Sequence, residues 1–237
     1  MRSLLLFCLL WLTGGAVAAE PLTLAAGAGY KKPMLELCQG FEAQSGIRTE
    51  SLFGNMRQVL SQTEMSGKVA LVVGDRSFLA TSGQFDHYTT LGHGRLVIAV
   101  PKGSAPATLE GLADPAYQRV AAPHPQKAIY GRAADQALQR AGIKEQLGER
   151  LLVVATVPQV SAYLAAGTVD AGFINLTDAL GLGDTIGGYT EVAQAQYDPI
   201  EIVAATVKGH EQDPAVTAFL QYLSGDEARA VLSRYGL

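Results

Sequence analysis

The chain has 237 residues, 48% of them hydrophobic and 17% charged, with Lys+Arg 18 against Asp+Glu 22 and a net charge of −4. That composition excludes a disordered tail and a coiled coil, and it leaves ample apolar material for one or two globular domains. A mildly acidic chain gives no global reason to expect nucleic-acid binding.

The first residues differ from the rest. Arg2 precedes an apolar run over residues 4–12, and Ala16-Val17-Ala18 supplies the small residues of a cleavage site. Residues 1–19 therefore read as a secretory signal peptide, too short for a membrane anchor, and the mature protein is expected to be exported to the periplasm. Cys8 falls inside this segment. Cys38 is left alone, so no internal disulfide is expected, and its place in the stripe Met34, Leu37, Cys38, Phe41 marks a core residue.

The mature chain opens with a strand at 22–26 that ends in Gly27-Ala28-Gly29. A helix opened by Pro33 and stopped by Gly46 follows, then a strand at 47–53, Gly54-Asn55, and a helix carrying Met56, Val59, Leu60 and Thr63. An unbroken apolar strand at 69–73 completes a βαβαβ start. The alternation pauses near Gly92 and Gly94, then restarts with a strand at 96–100 and a short helix stopped by Pro115. It continues with a strand at 120–122, a stiff loop at 123–126, a helix at 127–141, a strand at 151–155, a helix at 158–166 capped by Gly167, and a strand at 171–174. A strand at 200–207 and helices over 214–235 close the chain. The fold class is α/β. Its grammar suits two doubly wound α/β lobes joined by crossing strands, one holding residues 20–94 plus 206–237 and the other 95–205.

Several helices start directly after a strand end. In open α/β sheets ligands bind there, where helix N-termini offer unpaired N–H groups and a partial positive charge. Lys31, Lys32, Arg57 and Lys127 lie at or beside these turns, so an electropositive cleft in an acidic molecule is expected. Solvated helix faces remain the alternative for each lysine. Lys127, placed just inside a helix start, is expected to read a bound anion most directly, because an ammonium there is unfavourable without one.

Catalytic signals are missing: no HExxH, GxSxG or CxxC occurs, and His87, His93, His124 and His210 lack metal-type spacing. The Gly27-x-Gly29 turn has Lys32 where a dinucleotide fingerprint would place its third glycine. Asp170 and Asp178 read as a turn end and a helix cap rather than an acid/base pair.

The mature chain resembles the periplasmic molybdate-binding family, the solute-binding proteins of ABC oxyanion importers. The resemblance runs through Leu22-Thr23-Leu24-Ala25-Ala26, Phe41-Glu42 with Gly46-Ile47, the segment 96–102, Ile129-Tyr130-Gly131, the segment 167–173 and the tail at 219–223 and 234–236. It implies a type II periplasmic-binding-protein fold, with two lobes closing on a ligand by a hinge. It further implies a monomer that binds a small anion, needs no cofactor, performs no catalysis and delivers to an ABC permease in the inner membrane.

Carried onto this sequence, the family pattern points to Ala28, Gly29, Tyr30 and Lys31 after the first strand and to Gly54, Asn55, Met56 and Arg57 after the second. It continues with Lys127 and Ala128, with Val157, and with Asn175 near the place of a tyrosine that often closes the site. The pocket departs from that pattern, since a serine position falls on Gly29 and hydroxyl-rich residues fall on 54–57. Gained lysines and an arginine would suit a bulkier anion, such as a phosphorylated or carboxylate metabolite. A secreted adhesin or sensor partner of the same fold is a further alternative.

Overall fold

The computed structural model describes residues 20–237, and the expected signal peptide lies outside the described residues. In chain order the elements are β1 (Leu22–Gly27), α1 (Lys31–Ser45), β2 (Thr49–Gly54), α2 (Met56–Ser66), β3 (Leu71–Asp75), α3 (Arg76–Ala80) and β4 (Phe85–Gly94). Next come β5 (Leu96–Val100), β6 (Val120–Pro123), α4 (Ile129–Arg140), α5 (Lys144–Leu147), β7 (Leu151–Val154), α6 (Val157–Ala165), β8 (Ala171–Asn175), α7 (Leu176–Leu182) and β9 (Gly188–Glu191). The chain ends with β10 (Ile200–Val207), α8 (Pro214–Leu223) and α9 (Asp226–Arg234).

Two five-stranded sheets result, ordered β2-β1-β3-β10-β4 and β7-β6-β8-β5-β9. Each is mixed. In the first, β1 runs parallel to β2 and β3, while β10 runs antiparallel to β3 and β4. In the second, β6 runs parallel to β7 and β8, while β5 runs antiparallel to β8 and β9. The architecture is therefore α/β with two lobes.

The chain crosses between lobes at Arg95, where β4 of one sheet leads into β5 of the other, and again between β9 and β10. The second crossing thus precedes Ile200 and does not fall at the expected boundary of 205–206, because β10 pairs along its whole length with β3 or β4. Tyr197 ties the two crossings together: its hydroxyl accepts the Leu96 N–H at 3.1 Å.

Local signals explain the helices that shape the cleft. α1 buries Met34, Leu37, Cys38 and Phe41 and ends at Gly46 with φ 72°, a left-handed cap that suits glycine. Asn55 and Gln58 form a reciprocal capping box at the start of α2. The terminal helices pack on α1, with Phe41 edge-on to Phe219 at 5.0 Å and tilted against Tyr222 at 5.8 Å. Cys38 is buried, and desolvation raises its thiol above the ordinary value. Among the described residues no helix is long and apolar enough to cross a membrane.

Candidate functional site

A cavity of about 280 Å³, counting its open mouth, lies between the lobes. Four chain segments line it: Gly27, Ala28, Gly29 and Tyr30; Gly54, Asn55 and Met56; Ala128, Ile129 and Tyr130; Thr156 and Val157. Each segment is the passage from a strand end to a helix start. β1 leads through a 3-10 turn at Ala28–Tyr30 into α1, β2 leads into α2, β6 into α4 and β7 into α6. The first N–H groups of a helix have no backbone acceptor within it, so four helix starts and four positive dipole ends converge on one space; at α2 the Gln58 N–H is taken by the Asn55 cap and the Arg57 N–H by Lys127 O. Among the described residues no aspartate, glutamate, lysine, arginine or histidine lines it.

Two tyrosines close the inner side. Tyr30 from the first lobe and Tyr130 from the second meet hydroxyl to hydroxyl and are fully buried. They pack over Gly94 beside the first crossing, where a Cβ would stand 2.2 Å from the Tyr130 hydroxyl. Burial, above all, raises both phenols well above the ordinary tyrosine value, so both stay neutral.

Contacts between lobes surround the cavity. Arg132 on α4 pairs with Asp75 at the end of β3 at 2.5 Å, reaches the Ser77 hydroxyl at 2.6 Å and stacks on Phe78 at 4.2 Å. The Asp75 residue is only 1% exposed. Lys32 on α1 donates to the carbonyl of Gly181 near the end of α7. Asn175 donates through Nδ2 to the carbonyl of Gly29 at 3.0 Å. The Arg57 N–H reaches the Lys127 carbonyl at 3.4 Å.

Of the expected site residues, Ala28, Gly29, Tyr30, Gly54, Asn55, Met56, Ala128 and Val157 line the cavity, whereas Lys31, Arg57, Lys127 and Asn175 do not. Lys31 is exposed, with its ammonium 5.9 Å from the centre of the Phe53 ring. Arg57 and Lys127 are exposed as well. Lys127 also falls outside the helix, which begins at Ile129 with Ala128 as its N-cap. The N–H groups of Lys127 and Ala128 both turn back to the His124 carbonyl, at 3.2 and 3.0 Å, and that turn delays the helix by two residues. The expected cationic side chains are thus replaced by backbone N–H groups as the source of positive potential.

The expected set lacks Gly27, Ile129, Tyr130 and Thr156, which also line the cavity. The strand-end rule already spans these four, within residues 27–32, 125–130 and 156–159, whereas the family's site pattern passes over them. Asp178 does not cap α7. Asn175 holds that position, while Asp178 is buried, accepts the Ser161 hydroxyl, and has its carboxyl raised by desolvation against the opposing effects of that bond and of Lys32.

A donor-lined cleft between two α/β lobes defines a ligand-binding protein of the two-lobed receptor class. The chain belongs to the bacterial extracellular solute-binding proteins, whose family model matches residues 22–237. The molybdate-binding protein of Azotobacter vinelandii is 25% identical over 230 residues, covering 93% of this chain and 91% of that protein. A solved structure of the periplasmic molybdate-binding protein from Azotobacter vinelandii superposes with a TM-score of 0.82 at 22% identity, over 91% of this chain and 97% of that one. The sulfate-binding protein SubI of Mycobacterium tuberculosis H37Rv superposes with a TM-score of 0.75 at 18% identity, over 91% and 85% of the two chains.

Proposed function

We propose that this protein is the periplasmic solute-binding component of an ABC importer and that it captures a small tetrahedral oxyanion of the molybdate type between its lobes. The convergence of four helix starts on one cavity without charged side chains is the observation that carries this reading. The names of its relatives support the same ligand class. The centre of a water-sized sphere finds only about 20 Å³ of room in this space, far below the roughly 300–1,000 Å³ typical of sites for larger organic ligands. The lysines that favoured a bulkier metabolite stand outside the cavity, so that alternative loses its motive.

Selectivity follows from the donors. A fully deprotonated oxyanion offers an acceptor to each of them. A partly protonated anion, such as hydrogen phosphate, buries an O–H where no carboxylate waits to accept it, and an unpaired buried polar group costs about 1–3 kcal/mol. Calorimetric titration of the mature chain with molybdate, tungstate, sulfate, phosphate and a small phosphorylated carboxylate tests this. Molybdate or tungstate should bind at least about tenfold more tightly than phosphate, the equivalent of about 1.4 kcal/mol. Tighter binding of the phosphorylated carboxylate, or no binding of any oxyanion, would overturn the reading.

The cavity should also be insensitive to pH. No ordinary acid or base lines it, and the two raised phenols lose no proton until well above pH 10, so no phenolate forms to repel an anion. Molybdate affinity should therefore change less than about threefold between roughly pH 7 and pH 9, in a titration at constant ionic strength.

A further inference from the structure

Asn175 does not do what its position invites. It is the N-cap of α7, with φ −91° and ψ 152°, yet it makes no capping hydrogen bond. Asparagine is among the preferred N-caps because its Oδ1 accepts an N–H from the first helical turn. Here the side chain, 0% exposed, reaches into the other lobe and donates through Nδ2 to Gly29 O, and its Oδ1 is left buried with no donor.

The receiving side is built to match. Four residues after Gly29 a helix would return an N–H to the Gly29 carbonyl, but that residue is Pro33, which has none. Position 29 must also lack a side chain, because a Cβ there would stand 2.6 Å from Asn175 Oδ1. An asparagine diverted from its cap, a carbonyl deprived of its donor by a proline and a glycine that makes room for the contact all converge on one hydrogen bond between the lobes.

We propose that Asn175 is a positioning residue with two alternative partners. With the lobes apart, its Oδ1 caps α7 and Gly29 O faces water. With the lobes closed, its Nδ2 holds Gly29 O and so fixes the turn at Ala28–Tyr30 that lines the anion cavity. Leaving the cap strands Oδ1, so closure is unfavourable until an anion compensates. The proposal rests on the anion-cleft reading above and replaces the expectation that Asn175 touches the ligand.

Two variants of the mature chain separate this switch from a plain structural role. Asn175→Ser keeps a capping hydroxyl for the open state but is too short to reach Gly29. Asn175→Ala loses the cap and the contact together. Molybdate affinity should fall about tenfold or more in Asn175→Ser through faster dissociation, with the ligand-free melting temperature unchanged. It should fall by a similar factor in Asn175→Ala, which also fails to reach Gly29, but there the ligand-free melting temperature should drop. Asn175→Ser binding like the unaltered protein, or the two variants having the same ligand-free melting temperature, overturns the proposal.

Amide exchange in the ligand-free protein supplies a readout independent of the anion. The Thr177 and Asp178 N–H groups should exchange faster in Asn175→Ala than in the unaltered protein, and equal rates would contradict the open-state cap. Failure of the unaltered protein to bind any oxyanion would overturn the reading of the cleft, while this exchange comparison would still decide the role of Asn175.

Discussion

Alanine at position 131 should remove most of the anion affinity of this protein and part of its stability. Gly131 is the third residue of α4, and a Cβ there would stand 2.3 Å from His124 O and 2.6 Å from Pro123 O. Both are backbone atoms of the passage from β6. His124 O is already held by the N–H groups of Lys127 and Ala128, so it has no free direction in which to yield. The start of α4 must shift, and with it the backbone N–H groups of Ile129 and Tyr130, two residues that line the cavity. Overpacking of this kind costs about 1–3 kcal/mol. Displacing one or two donors from an anion costs about 1.5–3 kcal/mol each, a loss of roughly a hundredfold in affinity. Urea unfolding and calorimetry on Gly131→Ala measure the two effects separately. An alanine variant that binds molybdate as the unaltered protein does would remove α4 from the site.

Arg132→Ala should weaken binding by about tenfold to a hundredfold while leaving the ligand-free protein almost as stable as before. The asymmetry comes from Asp75. With the lobes closed it is 1% exposed, and its charged partner is Arg132. With the lobes apart, water reaches it. Cutting a fully buried pair costs about 3–5 kcal/mol, because a charge is left without compensation. The Arg132 side chain is 35% exposed and the Ser77 hydroxyl still reaches Asp75, so about 1.5–3 kcal/mol is the reasonable share here. That penalty exists only in the closed state and should show mainly as faster dissociation. Stopped-flow release of molybdate measures it. An unchanged release rate, or a ligand-free melting temperature that falls steeply, would show that the pair supports the fold rather than closure.

Much of the site is legible in the sequence because it is local. A strand end followed by a helix start is a feature of about four to six consecutive residues, and it marks the segments 27–32, 53–57, 125–130 and 156–159, within which the family resemblance picks out Ala28, Gly54, Met56, Ala128 and Val157. The direction of the lysines is not legible. Lys31 and Lys127 sit near the right turns, but whether a flexible side chain points inward depends on the exact helix start, and a two-residue turn onto His124 O moves that start from 127 to Ile129. The contacts between lobes are hidden for a different reason. Asp75 and Arg132 are separated by 57 residues, and Gly29 and Asn175 by 146. No periodicity or spacing connects residues that meet only when two lobes fold together. Among the strands, β4 escapes the pattern because most of its residues are exposed or half-buried, and a strand that buries so little shows no apolar signal. Its place in the sheet comes from its long antiparallel pairing with β10.

The central claim is that backbone N–H groups from both lobes, and no charged side chain, hold the anion. A crystal structure of residues 20–237 grown with molybdate tests it most directly. The account predicts one anion in the cleft, with oxygens about 3 Å from backbone nitrogens of the turns at Ala28–Gly29, Met56, Ile129–Tyr130 and Val157, and with every lysine and arginine side-chain nitrogen beyond hydrogen-bonding distance. An anion held by the side chains of Lys31, Arg57 or Lys127, or one bound outside the cleft, would contradict it.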